Sequence, residues 1–235
     1  MSGLVFIISA PSGSGKSTLV NGLRSNVPGL EFSVSYTTRK PRGVEKQGYE
    51  YFYVDRAAFE RMIEQHEFLE YADVFGNYYG TARRFLVEAH AHGNDLLLDI
   101  DVQGASQLQA SLPDAISIFI LPPNRAELER RLRCRSEAEH VDGEIINRRL
   151  RTAAKEIENY SKYSYILVND HLQESIDALT AIVLSERRKR SRGELCESER
   201  ALLAKAEQYL LPNVRERVQP ILASFALPES QVVRK

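Results

Sequence analysis

The stretch that most constrains this chain is Ala10-Pro11-Ser12-Gly13-Ser14-Gly15-Lys16-Ser17-Thr18, between the apolar run Leu4-Val5-Phe6-Ile7-Ile8 and a helix-compatible segment from Leu19. Strand, glycine-rich turn, Gly-Lys-Ser and helix in succession distinguish a phosphate loop from a chance Gly/Ser turn. Glycines let consecutive N–H groups converge on an anion, and the helix N-terminus adds the positive end of its dipole. In such a loop Lys16 reaches the terminal phosphates and the Ser17 hydroxyl coordinates Mg²⁺. Ala10 departs from the pattern, standing where the first glycine is expected. The expected ligand is a nucleoside triphosphate.

At 235 residues the chain can form one well-cored domain with a small insert or appendix. Its formal net charge of −1 gives no global reason to bind nucleic acid or a membrane, so anion recognition has to be local. Cys134 and Cys196 lack metal-type spacing and read as reduced thiols. There is no charged-then-apolar leader and no span-length apolar run, so the expectation is a soluble, cytoplasmic protein.

Residues 4–9 read as a buried strand, 17–24 as a helix and 31–35 as a second strand. Residues 36–43 form a cationic loop; 49–54 are β-prone, Asp55 caps a helix through Ile63, and 68–75 are strand-like. From residue 84 the alternation is regular, with strands at 95–101, 116–121 and 165–168. Helices fall at 84–92, 102–110, 128–135, about 143–160 and on to about 188. This pattern predicts an α/β fold, a mostly parallel sheet flanked by helices. Ligands then belong at the C-terminal ends of the strands, where the loop, Asp99, Asp101 and Asn169 fall. The expected domains are a core of 1–34 and 82–188, with a lid near 130–150, an insert of 35–81, and a helical extension of 189–235. The basic cluster 187–192 reads as a solvated helix end, and the extension as an accessory packing or oligomer element.

Arg39 and Arg42, three apart in a turn-rich loop, can place two guanidinium forks around one phosphate. Tyr51 and Tyr79 could add phenolic hydroxyls to the same group. Ser33-Val34-Ser35-Tyr36-Thr37-Thr38-Arg39, Arg42, Gly48-Tyr49-Glu50-Tyr51, Glu67-Phe68-Leu69-Glu70-Tyr71-Ala72, Gly76-Asn77-Tyr78-Tyr79-Gly80-Thr81 and Asp99-Ile100-Asp101-Val102-Gln103-Gly104 then come in order. Together they resemble the guanylate kinases among the P-loop nucleoside monophosphate kinases, collinearly from about residue 3 to 188.

The resemblance implies a P-loop core, a small β-rich GMP-binding insert and a mobile lid. It assigns Arg39, Arg42, Tyr51 and Tyr79 to the 5′-phosphate of GMP. It assigns Ser35, Glu70 and Thr81 to the guanine base, with Asp101 nearby. Guanine presents N1–H and the N2 amine side by side, and one carboxylate can accept both; adenine has an acceptor at N1. The segment Arg131-Leu132-Arg133-Cys134-Arg135-Ser136 resembles a lid segment whose last arginine is flanked by glycines, replaced here by Cys134 and Ser136. Arg131, Arg135 and Arg149 are the candidates for clamping the transferring group, with Arg148 not separable from Arg149.

The expected reaction is in-line transfer of the γ-phosphoryl of ATP to GMP, in purine nucleotide metabolism, with Mg²⁺ at Ser17. Asp99 or Asp101 is available to orient metal-bound water. The insert and lid are expected to close over both nucleotides. Two other readings are a related sugar-bisphosphate kinase and a phosphopeptide-binding module. Glu70 with Ser35 and Thr81 opposes the first, and Lys16 with Ser17 opposes the second.

Overall fold

The computed structural model describes residues 3–74, 76–139, 143–191 and 193–226, without the side chains of 135–139 and 143. Two compact units emerge, one of residues Met1–Ser9 and Val20–Ile118 and one of Ala10–Leu19 and Phe119–Lys235.

In the first unit the chain runs β1 (Val5–Ser9), α1 (Lys16–Asn26, which starts in the second unit), β2 (Leu30–Ser33), β3 (Tyr36–Thr37) and β4 (Phe52–Tyr53). It continues through α2 (Arg56–Glu64), β5 (Phe68–Val74), β6 (Asn77–Ala82), α3 (Arg83–His92), β7 (Asp95–Asp99) and α4 (Val102–Ser111). β7 lies between β1 and β2 and pairs in parallel with both, Leu97 opposing Phe6 on one side and Phe32 on the other. Leu96, Leu97 and Leu98 are almost fully buried, as an uninterrupted apolar run on a strand covered on both faces has to be. The buried Asp95 carboxylate accepts from the Leu4 N–H at 2.6 Å, satisfying a backbone donor beside the start of β1.

A second sheet has the order β4-β3-β6-β5, with β5 and β6 an antiparallel hairpin turned at Gly76. The Asp73 carboxylate accepts from the Gly76 N–H at 2.7 Å in that turn. Helix α2, capped by Asp55 through the Ala58 N–H, buries Phe59 against Phe68 and Tyr78, with ring centroids 4.4 and 5.3 Å away. Residues 77–82, not read as a strand, form β6, and further details differ from the sequence expectation. Residues 36–37, read as loop, form β3, pairing with β6 antiparallel and with β4 in parallel. The β-prone stretch 49–54 yields only Phe52–Tyr53, because Gly48 at φ 76° and the Gly48 N–H to Tyr51 carbonyl bond turn the chain just before it.

The second unit carries the end of β8 (Ile116–Leu121), then α5 (Arg125–Glu139), α6 (Gly143–Ile157), a 3₁₀ turn (Glu158–Lys162) and β9 (Tyr165–Val168). Helices α7 (Leu172–Arg190), α8 (Glu197–Glu207) and α9 (Leu211–Phe225) follow. Among the described residues no helix is long and apolar enough to cross a membrane. The extension is bound to the rest of its unit by backbone bonds, a side-chain clasp and buried apolar contacts. Ile166 N–H donates to the Tyr209 carbonyl (2.8 Å) and Leu211 N–H to the Ser164 carbonyl (2.9 Å), so residues 209–211 run along β9. Arg188 donates to Glu199 and to the carbonyls of Ser191, Gly193 and Glu194, clasping α7 to α8. Val214 and Val218 of α9 are fully buried.

Phe59→Ala would remove the ring at the centre of the smaller sheet's aromatic stack. It should lower unfolding stability by about 3–5 kcal/mol, read from urea denaturation.

Candidate functional site

The loop after β1 belongs to the second unit. Gly13 and Gly15 both take left-handed φ values, 90° and 86°, which side chains other than glycine rarely adopt. The Asn169 side-chain amide, buried just after β9, donates to the Ser14 carbonyl at 2.7 Å. Arg131 of α5 donates Nη2 to the Asn169 carbonyl (3.0 Å) and Nη1 to the Ser14 carbonyl (3.4 Å), while its Nε bonds Glu127 at 2.7 Å. Hydrogen bonds from Arg130 and Arg131 hold the Glu127 carboxyl down to about 2. Asn169 and Arg131, expected at nucleotide and phosphoryl group respectively, thus also bond the loop's backbone and its surroundings. The Ser14 hydroxyl is buried with no hydrogen-bond partner among the described residues. Lys16 opens α1 half-buried, with Ser17 and Thr18 exposed in its first turn. On α6, Arg149 is half-buried and Arg148 exposed. The side chain of Arg135 lies outside the described residues.

The first unit gathers the other candidates. Glu70 on β5 is 4% exposed, and its Oε1 accepts from Thr81 Oγ1 of β6 at 2.6 Å. Ser35 is buried immediately before β3. The Arg39 guanidinium lies over the rings of Tyr51 and Tyr53, 5.3 and 5.7 Å from their centroids, and the Tyr51 and Tyr79 rings meet edge to face at 5.7 Å. Burial, then the negative charge of Asp99 at the end of β7, pushes the Tyr51 hydroxyl above its ordinary range. Arg42 is exposed. Asp101 caps α4, its Oδ1 accepting from the N–H groups of Gln103 (2.7 Å) and Gly104 (3.1 Å).

Two residues that the sequence pattern does not single out organise this region. Glu45 accepts both ends of the Arg39 fork at 2.9 and 3.0 Å, together with the Arg42 N–H and the Tyr53 hydroxyl. Burial opposes ionisation of the Glu45 carboxyl, but these bonds and the Arg39 charge outweigh it and leave it below the usual carboxylate range. The available signal is an acidic side chain three residues beyond Arg42 in the same turn-rich loop. Thr37, fully buried, donates to the Tyr78 carbonyl and accepts from the Arg39 N–H, fixing the backbone from which Arg39 projects.

Left-handed glycines, a helix N-terminus and a buried hydroxyl awaiting a partner suit a polyphosphate. The class so defined is that of nucleotide-binding α/β proteins. The guanylate kinase family model matches residues 2–186. A guanylate kinase of Koribacter versatilis (strain Ellin345) is 60% identical over 225 residues, which are 96% of this chain and 97% of that protein. That match takes in the C-terminal extension. The guanylate kinase of Escherichia coli (strain K12) is 45% identical over 192 residues, 81% of this chain and 91% of that one. The crystal structure of guanylate kinase from Anaplasma phagocytophilum aligns with a TM-score of 0.67 at 35% identity, covering 80% of this chain and 88% of its own. This chain belongs to the guanylate kinase family.

The depressed Glu127 carboxyl has a pH signature. Because its folded pKa lies below the unfolded value, its contribution to stability is complete above about 4.5 and fades as pH falls to about 2. Glu127→Gln should flatten the acid limb of stability in that window, compared by urea midpoints at successive pH values.

Proposed function

We propose that this chain transfers the γ-phosphoryl group of ATP to the 5′-phosphate of GMP, giving ADP and GDP. The observation that carries the reading is the Glu70 carboxylate, 4% exposed and held by Thr81 on the sheet that also bears Tyr79. A carboxyl group so placed is a directed acceptor for paired donors. Guanine supplies N1–H and N2–H together, whereas adenine would leave the group desolvated and mispaired. A site built on such a bond discriminates by roughly 10⁴. Ser35 and Thr81 add hydroxyls to the base pocket. Asp101 serves it as the cap of the adjoining helix.

Arg39, Arg42, Tyr51 and Tyr79 hold the 5′-phosphate, and Glu45 keeps the Arg39 fork aligned for it. On the donor side the loop from Ala10 to Thr18 cradles the triphosphate and Lys16 reaches its terminal groups. Asn169 and Arg131 hold the loop in shape. Ser17, exposed in the first turn of α1, is the ligand this chain would offer Mg²⁺, which supplies charge neutralisation at the terminal phosphates. Arg131, Arg135 and Arg149, with Arg148 beside the last, are on the two helices of the lid and neutralise charge on the transferring group. The acceptor is already an anion, so no general base is needed, and rate enhancement comes from positioning two repelling phosphates and excluding water. The insert of 35–81 and the lid are the parts that move in this scheme. Its setting is the cytoplasm and the purine nucleotide pool.

A coupled assay of ADP release with GMP, with AMP and without acceptor tests the assignment. Release should require GMP; equal rates with AMP, or release without acceptor, would overturn it. Lys16→Ala should lower turnover by about 10²–10³ while calorimetry still detects GMP binding. Arg39→Ala should weaken GMP far more than guanosine, since the lost contact is to phosphate.

A further inference from the structure

We propose that Gly104 is a positioning residue, kept side-chain-free so that the Glu70 carboxylate can stand where it reads the base. The inference rests on the guanine reading of Glu70 given above. Gly104 is buried in the first turn of α4, and its N–H is held by Asp101 Oδ1 at 3.1 Å. A methyl group at this position would overlap Glu70 Oε2 and stand 2.9 Å from Cδ and 3.5 Å from Oε1. The three atoms nearest that methyl position all belong to this one carboxylate.

The backbone does not require glycine here. Gly104 is absent from the residues with positive φ, and alanine is the better helix former. What the missing side chain provides is space for an anion. On the other side Thr81 Oγ1 fixes Oε1 at 2.6 Å, so the carboxylate is set between a hydroxyl and a bare Cα. Helix α4 is tied in place by the Asp101 cap and by Gln107 Nε2, which donates at 2.9 Å to the carbonyl of Tyr71, the residue after Glu70. An added methyl therefore displaces the carboxylate, the far end of its side chain, rather than the helix. The change is cheap for stability and costly for base recognition.

The predicted readout is selectivity between GMP and IMP, whose base keeps N1–H but lacks the N2 amine. Gly104→Ala should raise the KM for GMP and lower the GMP/IMP ratio of kcat/KM by about tenfold or more, with the KM for ATP and the thermal midpoint near those of the parent. The ratio does not depend on how much of a preparation is folded. In a Glu70→Asp background, where the shorter side chain relieves the overlap, the same alanine should change the ratio far less. Glu70→Gln is measured alongside. If it collapses the ratio while Gly104→Ala leaves it intact, the positioning role of Gly104 is overturned and the guanine reading stands. If Glu70→Gln itself leaves the ratio unmoved, the guanine reading falls and the inference falls with it. An equal effect of Gly104→Ala in the parent and in the Glu70→Asp background would also overturn the inference.

Discussion

Burying a carboxyl group is among the more expensive things a small sheet can do, and the sheet β4-β3-β6-β5 does it at Glu70. The hairpin of β5 and β6 puts Thr81 opposite Glu70 in register, so the hydroxyl reaches the carboxylate without any long-range adjustment. Helix α2 and its aromatic stack hold that hairpin rigid from outside. The start of α4, fixed by its own cap, closes the remaining side with a residue that has no side chain. A carboxyl group held this way has few positions open to it, and its direction is fixed accordingly.

The loop that carries Arg39 follows a different logic. Arg39 is not left to solvent but is engaged by Glu45 and laid against Tyr51 and Tyr53, which limits the rotamers of a long cation. Glu45 sets the fork's direction while leaving the arginine charged. In the second unit the same economy appears with neutral partners. Asn169 and Arg131 use their donors on carbonyls of the chain, so the glycine-rich loop keeps its shape through side chains far away in sequence. Both arrangements organise the backbone and charges before any nucleotide arrives, and preorganisation is the larger part of electrostatic catalysis.

Much of this is legible in the sequence, and what is not has a physical reason. The apolar runs 4–8, 95–98 and 116–121 and the helices between them carry strong local patterns, so the parallel sheet and its flanking helices can be read directly. Asp55 and Asp101 precede helices in the usual capping position, although Asp101 draws attention for its charge rather than for the helix it starts. Strand β3 is invisible because two residues have no period; Tyr36 and Thr37 become a strand through Gly80 and Tyr79 on one side and Phe52 and Tyr53 on the other. Glu45 escapes notice for a similar reason. Its importance lies in four donors that converge on it in space, while its neighbours in sequence suggest an exposed turn. Gly104 stands in a recognised motif, yet its purpose depends on a carboxylate from another strand.

The pairing of residues 209–211 with β9 has a consequence for the order in which the chain is made. The Ile166 N–H of β9 and the Ser164 carbonyl just before that strand are bonded by the Tyr209 carbonyl and the Leu211 N–H. Unpaired edges of this kind are templates for pairing with another chain. During synthesis β9 leaves the ribosome well before the segment that covers it, and domains begin to fold as they emerge. For that interval the nascent molecule carries an open edge, which the extension later closes from within the same chain. Residues 209–211 thus satisfy, from within the same chain, backbone groups that would otherwise be open to another.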